Sequence, residues 1–384
     1  MTVWIVNPFD NLPTEGYRPL RFWLMAEAFV RAGHEVTYWT ADFSHANKAP
    51  RRILPDVPPP PFRVVTLHEP PYARNVSLRR LWAHWRWAKA WAKAAAAVAA
   101  PDLIVVSTPP LAVGGAVRRY AARRRTKVIV DVMDDWPGTF ERVAPRWALA
   151  PLRAVARRNC RAADAVTVVS DRYADLARSY GFSGPVRRFY HGIALPPAPK
   201  AGGDATAASA LRLLYLGNLG RSYDLSTVVE ALALLPGATL DVAGEGEQVP
   251  ALEALAETAA PGRVRFHGYV GRAALADLLS TSDVGIVPMA PDSCVGIPYK
   301  FADYSSFGLA IVSSLGGESG RLLARYGAGA AYRGGDPQNL AASLRALAPK
   351  LAEARTGSRR LAETEFDADA IYAAYVRFAT DLVK

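Results

Sequence analysis

The feature that most constrains this chain is a repeated alternation of short β-branched runs with longer segments of helical pattern. Short strands rich in Val and Ile that alternate with helices are typical of parallel sheets covered on both faces. The alternation stops at 196–210, which is rich in Pro and Gly and typical of an interdomain linker, and then restarts. We therefore predict an α/β protein with two doubly wound, Rossmann-like domains whose parallel sheets face each other across a cleft.

The 384 residues are too many for one ordinary core. We place the first domain at 1–200, the second at 201–366, and a last helix at 367–384 that is a candidate to cross back onto the first domain. The predicted strands are 3–7, 35–40, 63–67, 102–107, 127–132, 165–169 and 186–190, then 212–216, 238–243, 263–267, 284–288 and 309–313. The predicted helices are 19–32, 78–99, 112–124, 146–162 and 171–180, then 224–234, 248–258, 272–280, 298–307, 337–346 and 367–382.

Composition excludes several classes of protein. No segment approaches the roughly 20 uninterrupted apolar residues of a membrane span. The apolar opening at 3–6 has no basic segment before it, so we interpret it as a core strand rather than a signal peptide. Two cysteines, Cys160 and Cys294, are too few for a disulfide scaffold or a cysteine metal site, so a reducing cytoplasm is expected.

The formal net charge of +11 indicates an anionic partner, which could be nucleic acid, a membrane surface or a phosphorylated substrate. Arginine clusters lie in the first half of the chain, whereas 224–303 has 4 Lys and Arg against 11 Asp and Glu. The alternative explanation is a GC-rich genome that prefers arginine to lysine. No recognised nucleic-acid module is present, so no nucleic-acid partner is expected.

One helical segment, 77–93, mixes indoles with cations in the manner of a helix lying on an anionic bilayer. Its indoles and cations are Trp82, Trp85, Trp87, Trp91, Arg79, Arg80, Arg86, Lys89 and Lys93. The indoles occupy two sides of the helix, so some must belong to the core. The alternative is an ordinary packed helix with a basic edge.

The stretch 296–308 combines an anion site with a hydroxyl-binding carboxylate. Pro298 suits a first helical position and Gly308 the residue past the helix end. The helix start presents backbone N–H groups above Gly296, and Lys300 and Asp303 share one helix face. This arrangement suits a diphosphate joined to a ribose diol. The alternative is a buried helix in which Lys300 and Asp303 only pair with each other.

Six groups of residues, in this order and at these spacings, resemble the family 4 glycosyltransferases of GT-B architecture. They are 16–18 with 32–37, 131–137, 214–220, 242–246, 266–270 and 298–304. The resemblance runs almost end to end and is strongest to the bacterial branch that builds O-antigen and exopolysaccharide. The roles given next are those that this resemblance implies.

In the family, the glycine loop that here contains Gly217, Asn218 and Gly220 touches the donor diphosphate. The family usually adds an arginine after the first glycine and a lysine a few residues later, where this chain has Asn218 and Tyr223. Two other cations, Arg221 and Lys300, would then have to stabilise the departing diphosphate. Arg221 could equally be a solvated surface arginine.

Other donor positions follow from the same resemblance. Gly244 lies in the turn beneath the donor, and the backbone of Tyr269 and Val270 reads the base. Asp303 matches the acid that holds the ribose hydroxyls, and Gly296 with Ile297 completes the donor loop.

The family's first acid, which contacts the sugar, would fall on Val295. Asp292, or backbone groups around Gly296, would have to replace it.

On the acceptor side, Asp134 matches the aspartate of the family's Arg-Asp-x-Trp-Pro motif, although Met133 replaces the arginine. Asp134 would steer the acceptor hydroxyl or accept its proton. Asp131 and Asp135 are close enough in sequence to act instead, and an aspartate that caps the next turn is the structural alternative. Predicted acceptor contacts in the first strand–helix loop are Gly16, Tyr17 and Arg18.

The resemblance implies a retaining glycosyltransferase that needs neither cofactor nor metal. It would move a hexose or N-acetylhexosamine from a UDP-sugar, or alternatively a GDP-sugar, to a lipid-linked or polysaccharide acceptor. The expected location is the inner face of the bacterial cell membrane, with peripheral association. The competing hypotheses are a nucleotide-sugar epimerase of the same fold and a basic nucleic-acid-binding protein.

Overall fold

In the computed structural model, residues 1–142, 144–197, 211–291, 293 and 295–384 are described. The chain divides into two compact units. Unit 1 comprises Met1–Gly192 and Ala368–Lys384, and unit 2 comprises Ile193–Asp367. Most of the predicted linker, 198–210, lies outside the described residues.

Unit 1 is built on a seven-stranded, fully parallel sheet of order β5-β2-β1-β6-β7-β8-β9. Its strands are β1 (Thr2–Val6), β2 (Glu35–Ala41), β5 (Arg63–Leu67), β6 (Leu103–Thr108), β7 (Lys127–Val132), β8 (Ala165–Val168) and β9 (Val186–Arg188). Two short strands, β3 (Phe43–Ser44) and β4 (Ala49–Pro50), form a separate antiparallel hairpin. The central strands are buried on both faces, which accounts for their continuous Val and Ile runs.

Among the described residues, the helices that cover this sheet are α1 (Arg21–Arg31), α2 (Leu78–Ala96), α3 (Leu111–Arg124), α4 (Ala150–Arg161), α5 (Asp171–Ser179) and α13 (Ala368–Val383). The last of them packs against α1. Its Tyr372 and Tyr375 are fully buried in the same cluster as Phe29 of α1. Apolar packing of the last helix therefore makes it part of unit 1.

Helix α2 has one buried and one exposed face. Trp87 and Trp91 are fully buried, whereas Trp82 and Trp85 are 46% and 45% exposed. The buried indole of Trp91 contacts Trp4 edge-on at 6.4 Å between ring centroids. The prediction that some of the indoles belong to the core is confirmed. In the described part of the chain, no helix is both long and apolar enough to cross a membrane.

Unit 2 has a six-stranded parallel sheet of order β12-β11-β10-β13-β14-β15. Its strands are β10 (Arg212–Leu216), β11 (Thr239–Ala243), β12 (Val264–Gly268), β13 (Val284–Val287), β14 (Ala310–Ser313) and β15 (Gly329–Ala331). Its helices are α6 (Leu225–Ala233), α7 (Val249–Ala259), α8 (Arg272–Thr281), α9 (Tyr299–Ser306), α10 (Gly317–Tyr326), α11 (Pro337–Leu347) and α12 (Leu351–Leu361).

The α/β prediction of two Rossmann-like parallel sheets is confirmed by these strand orders. Sequence pattern missed α10, α12, β15 and the β3–β4 hairpin. Helix α10 follows Gly316 and begins at Gly317, a pair that is typical of a turn. Helix α12 contains Gly357, where a Cβ would lie 2.2 Å from the Tyr326 carbonyl oxygen. A glycine in mid-helix lowers helix propensity, and only the packing explains its presence.

Candidate functional site

The candidate donor site lies at the carboxyl edge of the unit 2 sheet. Strand order reverses there between β10 and β13, so the connections that follow these two strands leave in opposite directions. Ligands of open α/β sheets bind at such a reversal point, outside the carboxyl ends of the strands. The glycine loop follows β10, and α9 follows β13.

Two glycines let the backbone pack at this edge without side chains between. Gly217 has φ +120° and Gly244 has φ +148°, both in the region that favours glycine. A Cβ on Gly244 would lie 1.9 Å from the Gly217 carbonyl oxygen. The Gly217 N–H donates to the Ala243 oxygen at 2.9 Å, and the Gly244 N–H donates to the Gly268 oxygen at 2.7 Å. These glycines therefore make room, and their own N–H groups are engaged within the sheet edge.

The loop is held from both sides. Leu219 N–H donates to the Glu245 oxygen at 2.9 Å. The Tyr215 hydroxyl donates to the Asn218 carbonyl at 2.6 Å. At Gly220, a Cβ would lie 2.7 Å from the Asn218 side-chain oxygen. Packing thus fixes the loop conformation.

Lys300 brings a buried cation to this loop. Its side chain comes from the first turn of α9, where Pro298 is the N-cap rather than the first helical residue that was predicted. The Nζ atom lies 4.0 Å from the ring centroid of Tyr223 and 4.9 Å from that of Tyr215. A Cβ on Gly217 would lie only 2.9 Å from Nζ. The structure therefore brings Lys300 and Gly217 together, and the Tyr223 ring lies beneath the ammonium group.

Burial gives Lys300 unusual acid–base chemistry. Burial lowers the pKa of Lys300 to about 7, and the charge of Asp303 opposes this shift. The ammonium group lies against two aromatic faces, which stabilise its charged form. An anion placed beside Nζ would stabilise the charged form, which is the property expected of a phosphate-binding lysine.

Tyr304 locks α9 onto the sheet. Its hydroxyl accepts a hydrogen bond from Leu216 N–H at 2.9 Å and donates to the Ile286 oxygen at 3.2 Å. Gly285 makes this possible, because a Cβ there would lie 2.2 Å from the Tyr304 ring. Asp303 is 8% exposed on the same helix. Helix α9 therefore holds Lys300 and Asp303 rigidly relative to β10 and β13.

The other predicted donor residues are placed as follows. The Gly296 carbonyl accepts from Ser319 Oγ at 3.0 Å, and Ile297 is buried behind it. Tyr269, just after β12, is 71% exposed, and Val270 is half-buried. Asp292, considered as a replacement for the missing acid at Val295, lies outside the described residues.

Arg221 is not drawn towards Lys300. Its side chain is 88% exposed, and its guanidinium pairs with Glu247 at 3.3 Å. An exposed pair of this kind is screened by water and holds neither side chain firmly. The structure thus places Arg221 on the surface of unit 2. Its role at the diphosphate stays a prediction.

In unit 1, the end of β7 and the loop after it carry three aspartates with different surroundings. Asp131 is fully buried, accepts two hydrogen bonds from Arg21 at 2.9 and 2.8 Å, and accepts a third from the Thr167 hydroxyl at 2.6 Å. Arg21 also donates to the carbonyls of Phe189 and Tyr190. Asp131 is therefore a structural carboxylate that joins α1, β7 and β8.

Of these three aspartates, Asp134 is the one suited to acid–base chemistry. Its Oδ1 accepts from Asp135 N–H at 2.8 Å, the turn cap named as the structural alternative. It lines a small, mainly apolar cavity with Trp136, Cys160 and Tyr180. Burial raises the pKa of Asp134 to about 6, so it is ionised near neutrality yet basic enough to accept a proton. The Oδ2 atom of Asp135 lies 4.0 Å from Nη2 of Arg172, and the Asp135 carboxylate packs against Gly138.

A buried polar cluster beside Asp134 was missed by sequence reasoning. Arg80, interpreted as part of a membrane-facing set, is only 7% exposed, so that assignment is wrong. At 100° per residue, Arg80 falls on the same face of α2 as His84, Trp87 and Trp91, and this spacing could have revealed it. The other cluster members are His45, Lys48, Glu69, Tyr72 and His84.

The predicted acceptor loop has a defined shape. Gly16 closes a 3₁₀ turn with φ +87°, and its N–H donates to the Pro13 oxygen. The Tyr17 hydroxyl donates to Asn47 Oδ1 at 3.0 Å, and Arg18 follows just before α1. These residues form the first strand–helix loop, as predicted. Their acceptor role stays a prediction.

The described residues contain no grouping of three or more His, Cys, Asp or Glu side chains suited to holding a metal ion. Metal independence stays a prediction.

Comparisons with known proteins bear on both units. The family model described as Glycosyltransferase Family 4 matches residues 21–195, and the model described as Glycosyl transferases group 1 matches residues 210–349. No curated protein sequence matches the chain.

Several solved structures share the fold. Sucrose-phosphate synthase from Thermosynechococcus elongatus aligns with a TM-score of 0.78 at 18% identity, covering 99% of this chain and 98% of that chain. Anabaena HepE in complex with UDP-glucose has a TM-score of 0.68 at 15% identity, covering 99% of each chain. WaaG, a glycosyltransferase involved in lipopolysaccharide biosynthesis, has a TM-score of 0.62 at 15% identity, covering 98% of this chain and 99% of that chain. At these identities the likeness concerns the fold, and it confirms the predicted GT-B architecture.

Proposed function

We propose that this chain, which is a glycosyltransferase with a family 4 domain and a group 1 domain, transfers a sugar from a UDP-sugar to a lipid-linked or polysaccharide acceptor. A GDP-sugar is the alternative donor. The observation that carries the proposal is the buried ammonium of Lys300 against the glycine loop of unit 2. Retention of anomeric configuration is proposed from the family resemblance.

The donor side of the proposal rests on charge. A nucleoside diphosphate leaving group develops negative charge as the glycosidic bond breaks, and a nearby cation stabilises that charge. Lys300 is that cation, and the N-terminus of α9 adds the positive end of a helix dipole. Asp303, one turn further along α9, is assigned to the ribose hydroxyls. The proposed reaction needs no metal ion.

The choice of UDP draws on a neighbour of the same fold. HepE of Anabaena has been solved with UDP, with UDP and glucose, and with UDP-glucose. Tyr269, exposed after β12, is the residue whose backbone we assign to the base.

The acceptor side rests on Asp134. An ionised carboxylate with a pKa of about 6 can orient an acceptor hydroxyl and take up its proton as the new glycosidic bond forms. Asp131 is excluded from this role because Arg21 and Thr167 occupy its oxygens. Gly16, Tyr17 and Arg18 are assigned to the acceptor.

The lipid-linked acceptor and a peripheral membrane location are proposed from the exposed face of α2. This face carries Leu78, 85% exposed, with Trp82 and Trp85 beside it. Its cations are Arg79, Arg86, Lys89 and Lys93. The Lys89 ammonium lies 3.8 Å from the Trp85 ring centroid. Indoles and cations side by side match the headgroup region of an anionic bilayer.

Liposome co-sedimentation tests the membrane proposal. We expect the quadruple variant Trp82→Ser, Trp85→Ser, Arg79→Ser, Arg86→Ser to lose binding to vesicles that contain phosphatidylglycerol. The control, Arg119→Ser with Arg123→Ser on α3, also removes two positive charges, and it should bind as the native protein does. Equal losses in both variants would mean that only net charge matters, and unchanged binding in the quadruple variant would remove the membrane role.

A direct assay tests the function. A panel of nucleotide sugars is screened by thermal shift, because a donor that binds the native state raises its unfolding temperature. The stabilising donor is then incubated with and without lipid extract. Transfer requires the acceptor, whereas donor turnover without it indicates the epimerase. Asp134→Asn should lower transfer at least 100-fold while donor affinity is retained; full transfer by this variant would overturn the acceptor-side assignment.

A further inference from the structure

Arg80 differs from every other cation of α2 in being buried. Arg79, Arg86, Lys89 and Lys93 are all exposed, whereas Arg80 is 7% exposed. Burying a guanidinium is unfavourable unless neighbours stabilise its charge. The residues around Arg80 therefore indicate its role.

The guanidinium of Arg80 is enclosed by aromatic rings. Its central carbon lies 4.6 Å from the ring centroid of Trp136, 5.3 Å from Phe9 and 5.9 Å from Tyr72. Nη1 donates to the Asn75 carbonyl at 2.7 Å. Trp136 is two residues after Asp134, so the cation–π contact fastens the Asp134 turn to the start of α2.

Two carboxyl groups compete for the charge of Arg80. Glu69 lies beyond β5, fully buried, with its Oε1 3.9 Å from Nε2 of His84. Neither Glu69 oxygen has a hydrogen-bond partner among the residues that the structure describes. Asp134 is the second carboxyl group, and Arg80 favours its charged form.

The protonation states of Glu69 and Asp134 decide which of the two carries a negative charge near Arg80. Burial raises the pKa of Glu69 to about 8, whereas burial raises the pKa of Asp134 only to about 6. At neutral pH Glu69 is mostly protonated and Asp134 mostly ionised. Asp134 is then the ionised carboxyl group whose charge favours the charged form of Arg80, and the contact of Arg80 with Trp136 at 4.6 Å places it beside the Asp134 turn.

Other charged and titratable groups surround these two carboxyl groups. Arg51 favours the ionised form of Glu69, and Asp42 disfavours it. Burial lowers the pKa of His45 to about 3 and that of His84 to about 2, so both imidazoles are neutral. Burial lowers the pKa of Lys48 to about 8, which leaves a second, weaker cation on the β3–β4 hairpin. Burial raises the pKa of the Tyr72 hydroxyl, which stays protonated. The charge of Asp135 disfavours the ionised form of the neighbouring Asp134.

We propose that Arg80 is the positioning residue of Asp134: from the first turn of α2 its guanidinium clamps the Asp134–Trp136 turn and supplies the positive charge that the chain lacks at Met133. The arginine expected before the aspartate is thus replaced by one from another element. Without Arg80, the pKa of Asp134 rises above about 6, so a larger share of Asp134 is protonated at pH 7 and unable to accept a proton.

The inference rests on the proposed acceptor role of Asp134, and its test keeps the two separable. The pH dependence of kcat/KM for acceptor is measured for the native protein, Arg80→Met, Arg80→Lys and Arg123→Met. The last removes one exposed positive charge on α3 and is the control.

We expect Arg80→Met to lower kcat/KM about 10- to 100-fold at pH 7 and to move its acid limb upward by about one pH unit, with partial recovery at higher pH. Arg80→Lys should lie between, and Arg123→Met should match the native protein. The double variant Arg80→Met, Asp134→Asn should be no slower than Asp134→Asn alone, because Arg80 acts through Asp134.

An unmoved acid limb in Arg80→Met, or additive losses in the double variant, would overturn the inference while leaving the proposed function intact. If Asp134→Asn itself transfers at the native rate, the proposed function fails first.

Glu69→Gln provides a test that does not require an Arg80 variant to fold. Because the folded-state pKa of Glu69 lies above its ordinary value of 4.5, its neutral form stabilises the fold below about pH 4.5, and this contribution is lost as pH rises through about 8. Gln mimics the neutral acid, so Glu69→Gln should match native thermal stability below about pH 4.5 and exceed it increasingly as pH rises to 9. A variant that is less stable than the native protein at pH 9 would show that ionised Glu69, and not Asp134, is the partner of Arg80.

Discussion

The two candidate sites are built in opposite ways. In unit 2 the site is mostly backbone: glycines 217, 244 and 285 remove side chains so that strands, loop and helix can touch, and a single buried cation, Lys300, stands above them. In unit 1 the site is a dense set of titratable side chains from several elements around Asp134 and Arg80. A phosphate needs room and positive charge, whereas a hydroxyl that loses its proton needs a carboxylate whose pKa is controlled.

The largest expected effect tests whether side-chain pairing holds unit 1 together. Arg21→Met leaves the fully buried Asp131 without its ion pair, which should cost about 3–5 kcal/mol of unfolding free energy. The control, Lys127→Met, breaks a pair with Asp164 whose side chains are 45% and 31% exposed, and should cost about 0–1 kcal/mol. Urea denaturation measures both. Equal losses would show that Asp131 is not a structural carboxylate of β7.

The next effect tests the backbone character of the unit 2 site. Gly244→Ala places a Cβ against the Gly217 carbonyl at a φ of +148°, so we expect a loss of more than about 2 kcal/mol and of measurable donor binding. Gly262→Ala is the control, because its φ is +69° but nothing lies within 4 Å of the new Cβ. It should cost about 1 kcal/mol. Thermal unfolding measures the stability of both variants, and calorimetry measures their donor binding. Equal losses would mean that backbone strain at positive φ is responsible and that close packing against Gly217 is not.

Lys300 should show opposite effects on binding and stability. Because burial lowers its folded-state pKa from 10.5 to about 7, the unfolded state holds more protons between these values, and stability without ligand rises with pH across that window. Lys300→Met should therefore fold at least as stably at pH 7, yet bind the donor 10- to 100-fold more weakly.

The same pKa predicts how donor affinity varies with pH. A bound diphosphate restores the charged form of Lys300, so binding takes up a proton and native affinity falls as pH rises above about 7. Calorimetry in buffers of different ionisation enthalpy measures this uptake. If Lys300→Met keeps the proton uptake and its pH slope, the diphosphate does not lie at Lys300.

The smallest effect concerns Arg221. Its exposed pair with Glu247 should contribute under about 0.5 kcal/mol, so Arg221→Ala should change donor affinity by less than about threefold. Steady-state kinetics with the identified donor measures it. A loss comparable to that of Lys300→Met would restore Arg221 as a second cation for the diphosphate.

The sequence by itself determined the regular architecture, and it predicted several of the residues that the structure brings together in unit 2. Buried parallel strands need continuous β-branched runs, and helix ends need glycines, so β5, β7 and β10 were predicted at the bounds they have. Gly217 and Gly244 could be predicted because close backbone contact at these positions requires glycine. Lys300 could be predicted from its place near a helix start. Gly357 lies inside α12, and because glycine lowers helix propensity, this helix was not predicted.

Only the tertiary structure decided the roles of side chains whose partners are distant in sequence. Three aspartates within five residues look alike in sequence, yet Arg21, 110 residues away, makes Asp131 structural. Arg80 looked like its neighbours on a basic helix until folding placed it against Trp136. The reason is physical: backbone conformation follows from local propensity and periodicity, whereas the pKa and pairing of a buried group depend on whatever the fold brings within a few ångströms.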